Sequence, residues 1–406
     1  SVFRYKGKEA NAQKVGKELN VQALLTGRLV QRGQDLALYT ELVDAQKETV
    51  LWSQDYKQPM TSLVSLQSEI TRDVVQKLKT KLSGTEAQIL AKNYTANSEA
   101  YQLYLKGRYY WNKRTAKDVD KSIEYYEQAI ALDPNYALAY AGLADSYTVP
   151  LGGTPSREKM VKGREAARKA LALDDNLAEA HAAYGRVLTV HDYDFTAAER
   201  EFRRAIELNP NYALTYERYA SVLSYQGRFE EAFAQIRRAL QIEPLNLNFS
   251  GTYGFLLIYA RRYDDAIAQL KKTLELDANF QQSHTFLSFG YWLKGDYAQS
   301  VEERAKALEL IGDTEKATLV RESYAKGGWP GFLRLVTRES IVPGTRFYGI
   351  ATYYAALGEK DAAFAALNKA LENRETLLSG IKVDPRVDPL RSDPRFEEFV
   401  KRVGFK

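Results

Sequence analysis

The chain contains no cysteine, only two methionines and only three histidines among 406 residues. Without cysteine there is no disulfide, no thiolate metal ligand and no thiol nucleophile. His181, His191 and His284 come with no H-E-x-x-H run, so no metal site is expected. Long apolar runs are missing too: no stretch of about 18 such residues is available to span a membrane. Excess charge is small. The net charge is +5, residues 1–95 hold 14 Lys+Arg against 10 Asp+Glu, and the remainder holds 43 against 42. A near-neutral array offers no basic stripe for nucleic acid. No G-x-x-x-x-G-K-[ST] loop occurs, and Gly152-Gly153-Thr154 lacks both the lysine and a preceding strand. Asn93-Tyr94-Thr95 and Asn248-Phe249-Ser250 match the glycosylation sequon at the frequency chance allows. Carboxylates such as Glu230, Glu231, Asp264 and Asp265 sit at helix starts, where they favour the dipole, so paired-acid catalysis has no special support. Neither an enzyme nor a cofactor is expected.

What is present is a repeat. Between Ala213 and Leu310 one pattern recurs every 34 residues without insertion, with Gly227-Arg228-Phe229, Arg261-Arg262-Tyr263 and Gly295-Asp296-Tyr297 at the same place in successive units. Small residues follow at Ala232, Ala266 and Ser300, then at Ala239, Thr273 and Ala307. A unit of this size makes two short antiparallel helices and cannot bury its own apolar face, so neighbours must stack. These residues resemble the tetratricopeptide repeat (TPR). The fold expected is mostly α, a TPR-type α-solenoid of about seven or eight helical hairpins. Six repeats are read over 98–312, a degenerate hairpin around Gly327-Gly328-Trp329-Pro330 over 313–343, a further repeat over 344–377, and a capping tail with a terminal helix over 378–406. Asp133-Pro134 and Asn209-Pro210 stop one helix each, because the residue before proline is pushed out of the helical region. The first unit carries extra residues around Arg114–Asp118, and the second a longer loop from Val149 to Pro155. The tail has three Asp-Pro steps without the glycine and glutamate spacing of a calcium loop, and Asp393 before Pro394 reads as a helix N-cap.

Residues 1–83 follow another grammar. A helix is expected over Glu9–Leu19, strands over Gln22–Gln31, Asp35–Val43 and Thr49–Tyr56, and an amphipathic helix over Ser62–Leu82. This order gives a small α/β layer with one sheet face covered by helices. Residues 84–97 are a polar connector. With Leu25-Thr26-Gly27-Arg28, Glu41-Leu42-Val43-Asp44 and Leu51-Trp52 in its strands, the region resembles the later two-thirds of the TolB-like amino-terminal domain. The resemblance implies an incomplete α/β domain without its opening strand and helix. It also implies a bacterial, membrane-anchored parent such as a winged-helix transcription factor, a receptor-type Ser/Thr kinase or an adenylate cyclase, with this region on either the cytoplasmic or the periplasmic side. An uncovered sheet edge within residues 22–56 is expected to pair with a second copy.

The TPR resemblance also implies where a ligand would sit. By the family's pattern, the first helix of each unit lines the concave surface, where this register puts Tyr101, Tyr104, Arg108, Trp111, Asp145, Arg186, Glu217, Arg218, Tyr225, Phe255, Tyr259, Phe289 and Trp292. Such rings are either core or the wall of a groove for a protein or peptide partner. TPR domains that clamp a chaperone's terminal carboxylate use Lys and Asn at positions where Ala182, Arg186 and Arg218 stand here, so chaperone-tail binding is not expected. The expected function is a protein-interaction scaffold or ligand-sensing region; the rival is a module that oligomerises an attached effector. A hydrolase in the α/β part would need a nucleophile and a base, and residues 1–95 contain neither His nor Cys.

Overall fold

A computed structural model describes Tyr5 and residues 11–33, 35–59, 63–77, 94–149, 156–338 and 347–405. Most of the connector, the Pro150–Pro155 loop and the segment 339–346 lie outside the described residues.

The amino-terminal layer comprises α1 (Ala12–Leu19), β1 (Ala23–Arg32), β2 (Asp35–Asp44), β3 (Val50–Pro59) and α2 (Leu63–Lys77). Asn11 caps α1 by accepting from the Lys14 amide. The sheet is antiparallel in the order β1-β2-β3. Alternation along β2 turns Leu36, Thr40 and Leu42 inward, and Tyr56 of β3 joins them beside Leu66 of α2, with its hydroxyl donating to Asp73 at 2.8 Å. The cover stops short of β1. Leu25 and Leu29 pair with Leu42 and Leu38, and so share the inner face, yet they are 47% and 60% exposed.

From residue 98 the chain is a helical array: α3 (Ser98–Lys113), α4 (Ala116–Leu132), α5 (Ala137–Thr148), α6 (Arg157–Leu173), α7 (Ala178–Val187), α8 (Phe195–Leu208), α9 (Ala213–Tyr225), α10 (Phe229–Ile242), α11 (Leu247–Tyr259), α12 (Tyr263–Leu276), α13 (Gln281–Lys294), α14 (Tyr297–Glu309), α15 (Thr314–Val336), α16 (Phe347–Leu357), α17 (Lys360–Glu372) and α18 (Pro394–Val403). Helices such as α5 and α9 are buried on nearly every side because each lies between its hairpin partner and the next unit, whereas α10 and α12 bury a single stripe. Close approach needs small residues. Ala129, Ala170, Ala205, Ala232, Ala239 and Ala266 are fully buried, and a Cβ on Gly185 would stand 2.8 Å from the Phe202 ring. Inter-unit turns share one device, in which Asp133, Asp174, Asn209 and Asp277 each accept from the backbone amide two residues on.

Two departures shape the inner face. After α7 the chain widens into a π-helix, Leu188–Asp192, and within α15 Gly328 breaks the helix with φ 58° and ψ −156°. The tail is more than a cap. After α17 it forms 3₁₀ turns at Thr376–Gly380 and Pro385–Leu390, returns across the inside of the superhelix and meets the π-helix. Ser379 Oγ donates to the Thr189 carbonyl at 3.1 Å, Arg374 Nη1 to that of His191 at 3.0 Å, and the Tyr193 hydroxyl to that of Glu375 at 3.0 Å. The Phe195 and Phe405 rings meet in a tilted contact with centroids 4.9 Å apart, and the third hairpin is thereby fastened to the carboxyl end.

Candidate functional site

The concave positions fall into two groups. Tyr225, Phe255, Tyr259, Phe289 and Trp292 do not face an open groove. Tyr259 is 2% exposed and its ring rests on Gly380 of the tail; Tyr225 and Phe255 stack against Tyr259 at 6.2 and 4.5 Å; Arg386 lies 4.3 Å above the Phe289 ring. Trp292 packs between Trp329 and Tyr353, in the core around the α15 break. The expectation of an open aromatic wall in the fourth to sixth units is therefore corrected, because the chain's own carboxyl segment covers Tyr259 and Phe289 and the residues around the α15 break cover Trp292.

The seating of that segment is specific. Arg386 and Asp384 form a buried pair at 2.6 Å, the Tyr348 hydroxyl donates to Asp384 at 2.8 Å, and Arg261 forks onto Asp388. Glu375 accepts from the amides of Phe347 and Tyr348 at 3.1 and 3.0 Å, where the α16 dipole favours its charge.

The second group frames an open cleft of about 700 Å³. One wall is Tyr104, Arg108, Trp111 and Arg114 of the first unit with Asp145 of the second; the other is the turns Glu243–Phe249 and Leu276–Phe280. Tyr104 is held by Tyr136 and Tyr126, with ring centroids at 5.3 and 5.9 Å, and Tyr101 stacks on it at 6.5 Å. Arg108 Nη1 donates to the Tyr104 hydroxyl at 3.4 Å. Behind this wall Arg218 is buried and paired with Asp145 at 2.7 Å; burial opposes its charge, and Asp145, Tyr212 and Glu217 together more than offset that. Glu217 accepts from the Thr252 hydroxyl at 3.0 Å. Arg186 is half-buried, and burial lowers its guanidinium from the ordinary range, with Tyr225 and Glu217 working against that.

Arg114 was expected only as part of an insertion between two helices. It closes α3 in the left-handed conformation with φ 56°, and its guanidinium lies flat on Trp111, 3.6 Å from the ring centroid. Burial pushes it down to about 10, with Glu217 partly opposing and Arg218 adding to the fall. The sequence signal was a non-glycine residue standing at the helix-to-helix turn that Gly227 and Gly295 occupy in later units.

The histidines are structural hydrogen-bonding residues. His181 and His284, at one repeat position, each reach a carboxylate of the second helix, Glu201 and Glu303, at 2.6 Å. His191 sits beside Asp192 at 2.9 Å. Among the described residues no group of three His, Cys, Asp or Glu side chains could hold a metal, and no helix is long and apolar enough to cross a membrane.

Two family models, both described as tetratricopeptide repeat, match the chain, one over residues 223–288 and the other over 103–136 and 346–376. The chain carries tetratricopeptide repeats. Its architecture is a TPR-like solenoid with a small three-stranded sheet at the amino end, and proteins built on this repeat generally serve as non-enzymatic interaction scaffolds. It is similar to the putative adenylate cyclase 3 of Rhizobium meliloti (strain 1021), at 27% identity over 36% of this chain and 24% of the relative. It is also similar to the transcriptional regulator HilA of Salmonella typhimurium, at 24% identity over 53% of this chain and 38% of the relative. The chain thus spans well under half the length of either. Among solved structures, the type IV pilus biogenesis factor PilW aligns over 55% of this chain and 99% of its own, with 19% identity and a TM-score of 0.42.

Proposed function

We propose that this chain is the partner-recognition region of a larger bacterial regulatory protein, and that its repeats hold an extended peptide segment of a protein partner in the cleft between the first two units and the turns Glu243–Phe249 and Leu276–Phe280. The open cleft lined by Tyr104, Trp111, Phe249 and Phe280 carries this reading, since Tyr259 and Phe289 farther along are covered by the tail. Support for a larger parent comes from the two longer relatives, a cyclase and a transcriptional regulator, and from the TolB-like strand order. Peptides selected by the full chain from a random dodecapeptide library should bind about tenfold more weakly to Asn112→Trp, which fills the cleft from an exposed rim position. Unchanged binding puts the ligand elsewhere, and failure to select any peptide contradicts the reading.

A second reading, homo-association, is favoured by Leu25 and Leu29, exposed on β1 at the edge of the described sheet. Leu25→Lys with Leu29→Lys should then convert a dimer to a monomer in light scattering; a wild-type monomer across all concentrations rejects it.

A further inference from the structure

One repeat position reaches back to the turn that precedes its helix. His181 Nε2, the Tyr216 hydroxyl and His284 Nε2 each lie against the carbonyl six residues earlier, on Asp175, Pro210 and Ala278, at 2.8, 2.9 and 3.0 Å. The contact ties the start of a first helix to the inter-unit turn before it. Tyr216 makes it with a hydroxyl, which needs no charge to donate. The two histidines differ, because their other ring nitrogen is also committed. Nδ1 of His181 meets Glu201 and Nδ1 of His284 meets Glu303, both at 2.6 Å.

Carbonyl and carboxylate oxygens only accept, so serving both at once takes a ring that carries both protons. A neutral ring must give up one bond. The carboxylate is the stronger acceptor and repels a bare nitrogen lone pair, so the remaining proton stays on Nδ1 and the turn carbonyl is released. The charged groups acting on the buried His284 ring are Glu303 and Lys306 of α14, while Asp277 of the turn is engaged with the Asn279 amide. The bond to Glu303 raises the ring above the ordinary imidazole range, against burial and Lys306. Around His181 they are Glu201 and Arg204 of α8; burial opposes the charge, and Glu201 with the Asp175 carbonyl outweighs it. Both bonds are therefore complete in mildly acidic solution, and the turn contact is lost as pH rises through the raised values.

The turn that His284 holds is part of the cleft. Leu276, Asp277 and Phe280 line it, and the Phe280 ring rests on Gly251 of α11, where a Cβ would stand 3.3 Å from it. The turn that His181 holds, Asp174–Leu177, does not line the cleft. We propose that His284 is a proton-operated latch on the cleft: the doubly protonated ring fastens the Ala278 carbonyl and keeps Phe280 in the wall, and the neutral ring frees the turn. This rests on the peptide-binding reading above and adds its regulation.

Two measurements on the full chain separate the latch from that reading. Nitrogen NMR of isotope-labelled histidine should find the His284 ring doubly protonated at about pH 6 and protonated on Nδ1 alone at about pH 9. Acetylated, histidine-free peptides selected from a random library should bind about fivefold more tightly at the lower pH, the factor that one hydrogen bond to the turn supplies. His284→Tyr, which copies Tyr216, should bind alike at both, and His181→Tyr should keep the dependence. Equal binding by the unaltered chain at both, or a dependence that survives His284→Tyr, overturns the latch and leaves peptide binding standing. Should no peptide bind, the peptide reading falls and the ring nitrogens still decide. A neutral His284 at about pH 6, or a proton retained on Nε2 at about pH 9, overturns the latch, and this holds even if the tyrosine variant fails to fold.

Discussion

The inner face of this superhelix is occupied in its middle and open at its amino-terminal end, and similar residues line both stretches. Tyr259 and Phe289 lie beneath the tail, with Tyr225 and Phe255 packed against Tyr259, while Tyr104, Trp111 and Arg114 border an open cleft. Aromatic residues on the first helices therefore do not distinguish core from binding surface. What differs is whether this chain brings a segment to cover them. The covered stretch also shows what such a surface accepts: a 3₁₀-rich, proline-punctuated segment held by ring contacts and by arginine–aspartate pairs.

The sharpest way to break the comparison is to remove rings from the covered stretch. Phe255→Ala with Trp292→Ala should destabilise the array by about 6–10 kcal/mol, taking about 3–5 kcal/mol for each large aromatic deleted from a core, and should unfold it. A well-folded double variant, by circular dichroism and calorimetry, would show that these rings are not core. Next in size is the buried pair of the tail. Asp384→Asn strips Arg386 of its countercharge and takes an acceptor from Tyr348, a loss of about 3–5 kcal/mol in urea titration. A change under about 1 kcal/mol would mean that the tail is loosely seated.

A smaller effect of opposite sign is expected in the open cleft. Arg114→Gly relieves the positive φ and removes a desolvated charge, and should raise stability by about 1 kcal/mol. Arg261→Gly relieves the same strain but loses Asp388, so it should be neutral or destabilising. Equal gains from both would show that the tail contact contributes nothing. The smallest effect is common to both stretches. The hydrogen bond that His284 donates to the Glu303 carboxylate raises the ring above the ordinary imidazole range, so the fold favours its protonated form. That contribution is complete below the unfolded value of about 6.5 and is lost as pH rises through the raised one. The melting temperature should fall slightly over that window, and His284→Phe should flatten the dependence.

The sequence made the hairpins legible because each records itself locally, through small residues at Ala232 and Ala266, turn residues at Gly227 and Gly295, and Asp/Asn-Pro stops. The strand order of the amino-terminal layer was legible for the same reason, since alternation along Leu36, Leu38, Thr40 and Leu42 is a property of neighbours. The course of the tail was not. Ser379 meets Thr189 across 190 residues, and no periodicity in either segment records the encounter. The π-helix at Leu188–Asp192 was equally hidden, although it presents the carbonyls that receive Ser379 and Arg374. Of the cleft, Tyr101, Tyr104, Arg108 and Trp111 followed from the repeat register. Arg114 did not, because the only trace of its left-handed backbone is a non-glycine residue at a turn position where later units carry Gly227 and Gly295.

An open stack of repeats is held only by contacts between neighbours, so it frays from either end like a zipper. The clasp between the π-helix and the tail turns the stretch from residue 188 to residue 405 into a closed loop, which must let go at one stroke or stay shut. Residues 98–173 lie outside that loop. Amide hydrogen exchange should therefore separate two melting units along one superhelix, with one wall of the cleft on the side that breathes first and the other inside the loop.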